Sequence, residues 1–258
     1  MKPELSDSAR VLNVAVVLGL RDVKNTYNRS KLGFFRLFLQ TTLSIVIIVP
    51  IFATIQERDL REFLGYVASG LMIWSFISDS TIDASSAYIR NTRSIRQVAI
   101  PRITFALQGI IRNAVMLAIS LSLFPLIWII SGTVPNWNTL LLPFGLLLTV
   151  LCIANLAIIV ATIGARSRDF TTIVAAVMRV LFFLSPIIWV TERIRGDIAH
   201  FILGLNPFYH LLQIVRLPLL GEAPTNINWL LAVVAVLISG AIAYRVFKKF
   251  DHKIAYWV

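Results

Sequence analysis

TLLLPFGLLLTVLCIANLAIIVATIG, residues 139–164, contains no Lys, Arg, Asp or Glu from end to end. A bilayer crossing needs roughly 20 mostly apolar residues in a helix, and a run of this length and composition supplies them. Five further apolar stretches flank it, at 36–55, 63–84, 104–130, 170–190 and 228–247, with short polar junctions between them. With 57% hydrophobic and 14% charged residues, the 258-residue chain leaves the soluble-domain range in the membrane direction. The pattern predicts an all-α membrane protein with six transmembrane helices.

The cations orient the bundle. If the N terminus faces the cytoplasm, the alternate segments 1–38, 85–103, 165–169 and the C-terminal tail hold seventeen Lys and Arg, whereas the opposite junctions hold five: Arg58, Arg61, Arg193, Arg195 and Arg216. Acidic residues show no matching bias, as expected for a positive-inside signal. Both termini are predicted to be cytoplasmic, in a multi-pass membrane protein. The net charge of +11 is explained by anionic headgroups beside the spans, and nucleic acid is not expected as a partner.

The N-terminal region 1–35 carries six cations around an apolar patch from Val11 to Leu20, too short to span and lacking the order of a cleaved signal, so it is predicted to be an amphipathic interface helix. Residues 36–250 form the six-span domain and 251–258 a cytoplasmic tail. Inside it, 91–99 is a short basic segment ahead of Pro101, read as a surface helix. The interval 191–228 mixes charges, three prolines and two short apolar runs, and is predicted to form short extracytoplasmic re-entrant or interfacial helices between spans 5 and 6, a lid over a pathway. Ala157, Ala161 and Ala165 recur every four residues and would let another helix approach closely.

Cys152, the sole cysteine, excludes an intrachain disulfide, and His200, His210 and His252 show no metal-ligand spacing. Asp79 and Arg112 fall at similar depths in adjacent antiparallel spans and form a predicted intramembrane polar pair, either fixing two helices or lining a polar route. Aromatic residues at Phe35, Phe38, Phe182, Phe183, Trp189, Phe208 and Tyr209 are candidates for a pathway or gate, set against ordinary anchoring and core packing. The group around Phe182 and Trp189, beside Pro186, is the strongest of these.

Four motifs in order among the spans carry a resemblance: the basic entry at 21–33, the basic segment leading into Ile100-Pro101-Arg102, Phe183-Leu184-Ser185-Pro186, and Leu205-Asn206-Pro207-Phe208-Tyr209. The chain resembles the membrane subunit of an ABC-2 type ATP-binding-cassette exporter, particularly the permeases for bacterial capsule, O-antigen and teichoic acid. That resemblance implies two copies of this chain working with two nucleotide-binding ABC ATPase subunits. It assigns ATPase coupling to the regions of Arg21, Lys24 and Tyr27 and of Arg93 and Arg96, the latter being otherwise simple lipid anchors. It also implies an undecaprenyl-diphosphate-linked polysaccharide as cargo, in contact with membrane lipid.

The sequence has no Gly-rich phosphate-cradling Lys-Ser or Lys-Thr motif, so ATP and Mg are expected in the partner and no cofactor on this chain. O-antigen or capsule precursor export is the leading expectation. Wall teichoic acid export, export of a drug or simple lipid, and a lipid-sugar transferase are the alternatives, the last weakened by the absence of an acid-base cluster in the short junctions.

Overall fold

The computed structural model describes residues 5–28, 35–97, 100–167, 169–190 and 203–258. The principal elements among these residues are helical, in the order α1 (Leu5–Asn28), α2 (Phe35–Ile55), α3 (Leu60–Ser85), α4 (Ala87–Arg90), α5 (Thr92–Gln97), α6 (Ile103–Leu121), α7 (Phe124–Ser131), a 3-10 turn (Trp137–Leu141), α8 (Leu142–Gly164), α9 (Phe170–Leu184), α10 (Pro207–Leu219) and α11 (Asn226–Trp257).

Local chemistry sets many of the boundaries. The Asp59 carboxylate accepts the Arg61 N–H and caps α3, Asn206 accepts the Phe208 N–H ahead of Pro207 in α10, and Thr225 caps α11. Gly132, at φ 73, closes α7 in the left-handed conformation that costs glycine least.

The six-span expectation is corrected here. Among the described residues three helical stretches are long and apolar enough to cross a membrane: Ile103–Ser131, Trp137–Gly164 and Asn226–Trp257, of 29, 28 and 32 residues. The chain is therefore a multi-pass membrane protein, but 36–55, 63–84 and 170–190 do not qualify. The described apolar part of α2 is only Thr41–Ile55, and α9 stops at Leu184. Although 26 residues long, α3 carries Ser69, Asp79, Ser80 and Asp83 among its apolar positions.

Of the interval expected to form the outer lid, residues 191–202 lie outside the described residues. The helix that follows, α10, is short and packs into the bundle, with Leu211, Leu212, Ile214 and Val215 fully buried. The run of apolar side chains that suggested an interface is used on all sides by neighbouring helices. At the other end of the chain, α1 lies along α6, where a Cβ on Gly19 would stand 2.8 Å from the Ile111 Cβ.

α3 runs through the main core, burying Val67, Ile73 and Ile77 against α6, α8, α9 and α10. A second, smaller core lies beyond its C-terminal end, built from Ala87, Tyr88, Phe105, Ala106, Ala161, Ala165, Ala243 and Ile254. Ala157, Ala161 and Ala165 are all buried. Close approach is most severe beside them: a Cβ on Gly164 would stand 1.9 Å from the Ser85 carbonyl oxygen.

Candidate functional site

Two polar constellations lie at opposite ends of α3. The first surrounds a segment that abandons helical structure. After α9 the chain runs through Ser185-Pro186-Ile187-Ile188-Trp189-Val190 without regular hydrogen bonding, yet Ser185 and Ile187 are fully buried and Ile188 nearly so. Backbone amides removed from water must find partners or cost stability. Here side chains from distant parts of the sequence supply them.

The Tyr66 hydroxyl of α3 lies 3.1 Å from the Pro186 carbonyl oxygen and 3.0 Å from that of Trp189. Arg216 of α10 donates from Nη1 to the Pro186 carbonyl at 2.7 Å and from Nη2 toward that of Ile187 at 3.5 Å. Gln56, just past α2, donates to the Ile188 carbonyl at 2.8 Å and accepts the Val190 N–H at 3.0 Å. Asn206 donates to the Ser185 hydroxyl at 3.1 Å. The left-handed φ of 48 at Glu57 turns the chain away directly after Gln56.

Arg216 is fully buried. Its guanidinium carbon sits 3.9 Å from the centroid of the Tyr66 ring, so the charge is held by carbonyl dipoles and an aromatic face. Nη2 occupies the space a side chain at position 70 would need: a Cβ on Gly70 would stand 2.3 Å from it and 2.9 Å from the Ile187 carbonyl oxygen. Glycine at 70 is therefore what lets the guanidinium reach the segment.

Some predicted aromatics gather beside this cradle. Phe182 and Phe208 both meet Trp74 edge-on, with centroids 6.1 and 6.0 Å away, and Phe183 lies 5.3 Å from Phe182 while remaining largely exposed. Trp189 donates from its indole nitrogen to the Phe183 carbonyl at 3.2 Å. Tyr209 instead packs against His210, whose ring nitrogens contact Asn228 and the Gly204 carbonyl. The side chains of Phe35 and Phe38 lie outside the described ones, although both residues belong to α2.

The second constellation sits where α3 gives way to α4. Arg112 makes its ion pair with Asp83; Asp79, one turn earlier, is exposed on the same helix. The Asp83 carboxylate also accepts from Asn113 at 3.1 Å and from Arg90 at 3.2 Å, and Arg90 donates to the Asp83 carbonyl at 2.9 Å. Gln108 donates to Asp22 of α1 at 2.6 Å. Asp22, Asn25, Arg90, Asn91, Gln108 and Arg112 thus border one polar cavity of about 520 Å³. Burial lowers the pKa of Arg90, with the nearby Asp22 charge acting against it, and burial raises that of the Tyr88 phenol, reinforced by Asp251.

The predicted coupling residues cluster around this end. Arg21 and Lys24 are exposed on α1, and Arg93 and Arg96 are exposed on α5. Arg96 donates to the Val258 carbonyl, and Arg102 pairs with Asp251 at 3.0 Å, so α11 returns to brace the basic junction. The side chain of Tyr27 and residues 98–99 lie outside the described part. Among the described residues no group of three or more His, Cys, Asp or Glu is arranged to hold a metal ion.

Gln56, Tyr66 and Arg216 are not singled out by the sequence, and Asp83, which lies beside Asp79 in the same apolar run, is not told apart from it as the partner of Arg112. Arg216 offered a signal: a lone arginine inside the apolar run 208–217 has to be satisfied somewhere. Asp83 differs from Asp79 by one helical turn, finer than a depth estimate resolves.

Comparison with known proteins gives a family model for ABC-2 type transporters that matches residues 14–220. The O-antigen export system permease protein RfbA of Myxococcus xanthus is 26% identical over 193 residues, covering 74% of each chain. A protein of the same description from Klebsiella pneumoniae is 20% identical over 201 residues, 76% of each chain. The polysialic acid transport protein KpsM of Escherichia coli is 22% identical over 241 residues, 88% of this chain and 91% of its own.

Proposed function

Because the chain belongs to the ABC-2 type transporter family, we propose that it is the permease subunit of an ATP-driven exporter that moves a lipid-linked surface polysaccharide across the bacterial inner membrane. O-antigen or capsule precursor is the cargo, carried on undecaprenyl diphosphate. The observation that carries this reading is the export of O-antigen and the transport of polysialic acid named for relatives that align over most of their length.

Two copies of the chain work with two ABC ATPase subunits, which bind the ATP and Mg. Those partners dock at the cytoplasmic face on α1 and α5, where Arg21, Lys24, Arg93 and Arg96 offer an exposed basic surface to an acidic cleft. The work of this subunit is mechanical: closure of the ATPases displaces α5, and packed helices pass the movement on as rigid units. The aromatic group at Phe182, Phe183, Trp189 and Phe208 borders the route, offering flat apolar faces along which sugar rings can slide.

Depletion of the chain in a producing strain tests the proposal. Lipid-linked glycan should still be made and should accumulate on the cytoplasmic side. Normal surface delivery in a strain lacking every paralogue would overturn it, and accumulation of teichoic acid, or of a drug or simple lipid in place of glycan, would reassign the cargo.

A further inference from the structure

We infer that Tyr66 and Arg216 form a clamp through which α3 drives the 185–190 segment, making them positioning residues for transport. The inference rests on the reading of the chain as an ATPase-driven permease and is independent of the cargo.

α3 is unbroken from Leu60 to Ser85, so Tyr66 stands about 28 Å along the axis from the end that meets α4. That end is not free to swing. Arg90 of α4 is tied back to both the side chain and the carbonyl of Asp83, and the Gly164 backbone of α8 bears directly on Ser85. A push on α4 and α5 therefore reaches α3 at a point of near contact with α8, which acts as a pivot, and the far end of the helix travels furthest.

At that far end, α3 holds main chain. The Tyr66 hydroxyl shares its one proton between the Pro186 and Trp189 carbonyls, and Arg216, stacked on the Tyr66 ring, donates to the Pro186 carbonyl as well. These carbonyls are buried, and leaving them bare is unfavourable. Movement of α3 must therefore carry the segment along or strip its hydrogen bonds. Gly70, one turn below Tyr66, leaves no gap in which the guanidinium and helix could slip past each other.

The test uses the permease co-expressed with its ATPase and purified in lipid nanodiscs, in a Cys152→Ser background with Val190→Cys as the reporter. Labelling of residue 190 by a maleimide, with and without ATP, Mg and vanadate, reads movement of the segment. ATP hydrolysis and glycan export are followed in parallel. In the parent, nucleotide should change the labelling rate; in Tyr66→Phe, which loses only a hydroxyl, that response should vanish while hydrolysis continues. Export per ATP should fall at least about fivefold, the lower end of ordinary coupling between sites. Arg216→Lys should reproduce the effect, because an ammonium cannot replace the stacked fork.

A parent whose labelling ignores nucleotide overturns the clamp, as does a response retained in both variants. Loss of hydrolysis in both variants would mark the residues as structural and also overturn it. A parent that responds to nucleotide but exports no glycan would sink the cargo reading and leave the clamp standing.

Discussion

Replacing Gly164 by alanine puts the pivot between α3 and α8 under direct test. The new methyl would stand 1.9 Å from the Ser85 carbonyl oxygen and 2.9 Å from its carbon. Comfortable separations between non-bonded heavy atoms are about 3.5 Å or more, so the helices must part by roughly 1.5 Å. Both sides of the contact are backbone, with no flexible side chain to rotate away. Overpacking of this kind costs about 1–3 kcal/mol or more, and alanine's better helix propensity returns about 1 kcal/mol. With no side chain able to yield, the cost falls at the upper end of that range, and the resulting net loss of about 2 kcal/mol lowers the unfolding midpoint by about 4–8 °C for a chain of this size.

Gly109→Ala is the matched control. It also lies inside a helix, but its Cβ would meet only the Asp83 Cβ at 3.7 Å, an ordinary contact. It should be neutral or stabilise by up to about 1 kcal/mol. Cys152 provides the assay, since the only cysteine is buried and reacts with a fluorogenic maleimide when the bundle opens. A Gly164→Ala midpoint equal to that of the parent or of Gly109→Ala would show that α3 and α8 do not meet as described.

Three further outcomes are expected. Asp83→Asn should destabilise by about 1–2 kcal/mol, below the 3–5 typical of fully buried pairs because both partners are about a quarter exposed; Asp79→Asn should stay within about 0.5 kcal/mol, and equal losses in the same thiol assay would refute the assignment of Arg112 to Asp83. Tyr88 has its phenol pKa raised by burial and by Asp251, so its contribution is complete below the unfolded value of about 10 and declines as pH rises above it. Tyr88→Phe should flatten this alkaline decline; an unchanged profile in alkaline unfolding would refute that origin. Arg93→Glu should weaken capture of the co-expressed ATPase by about tenfold or more at low salt through charge repulsion, and unchanged capture would remove α5 from the docking surface.

The apolar runs at 139–164 and 228–247 were legible because nothing polar competes with them, and the helices Leu142–Gly164 and Asn226–Trp257 contain most of each. The run at 63–84 misled because its small and polar members, Gly65, Ser69, Gly70 and Ser80, are buried inside the bundle rather than excluded from it. The run at 170–190 misled because apolar composition continues past Leu184 while helical geometry does not. Pro186 marked that break in the sequence. What holds the broken segment was not readable: Gln56 and Tyr66 lie more than a hundred residues away, and no local pattern announces such a partnership. The aromatic group around Phe182 was visible as a cluster, but its centre, Trp74, comes from another helix.

Most of the grip on residues 185–190 falls on main-chain atoms. Carbonyl oxygens are the same whichever side chain follows them, so these hydrogen bonds are nearly blind to the identities of Trp189 and Val190, whereas Ile187 and Ile188 are also held by burial in the core. The two half-buried positions can therefore change their lettering, and with it the surface they offer to whatever passes, without loosening the main-chain attachment. Gln56, Tyr66 and Arg216 have no such freedom, since each fills a role that depends on the shape of its own side chain. A lineage of such proteins would be free to retune Trp189 and Val190 while the three holders and the buried isoleucines stay fixed.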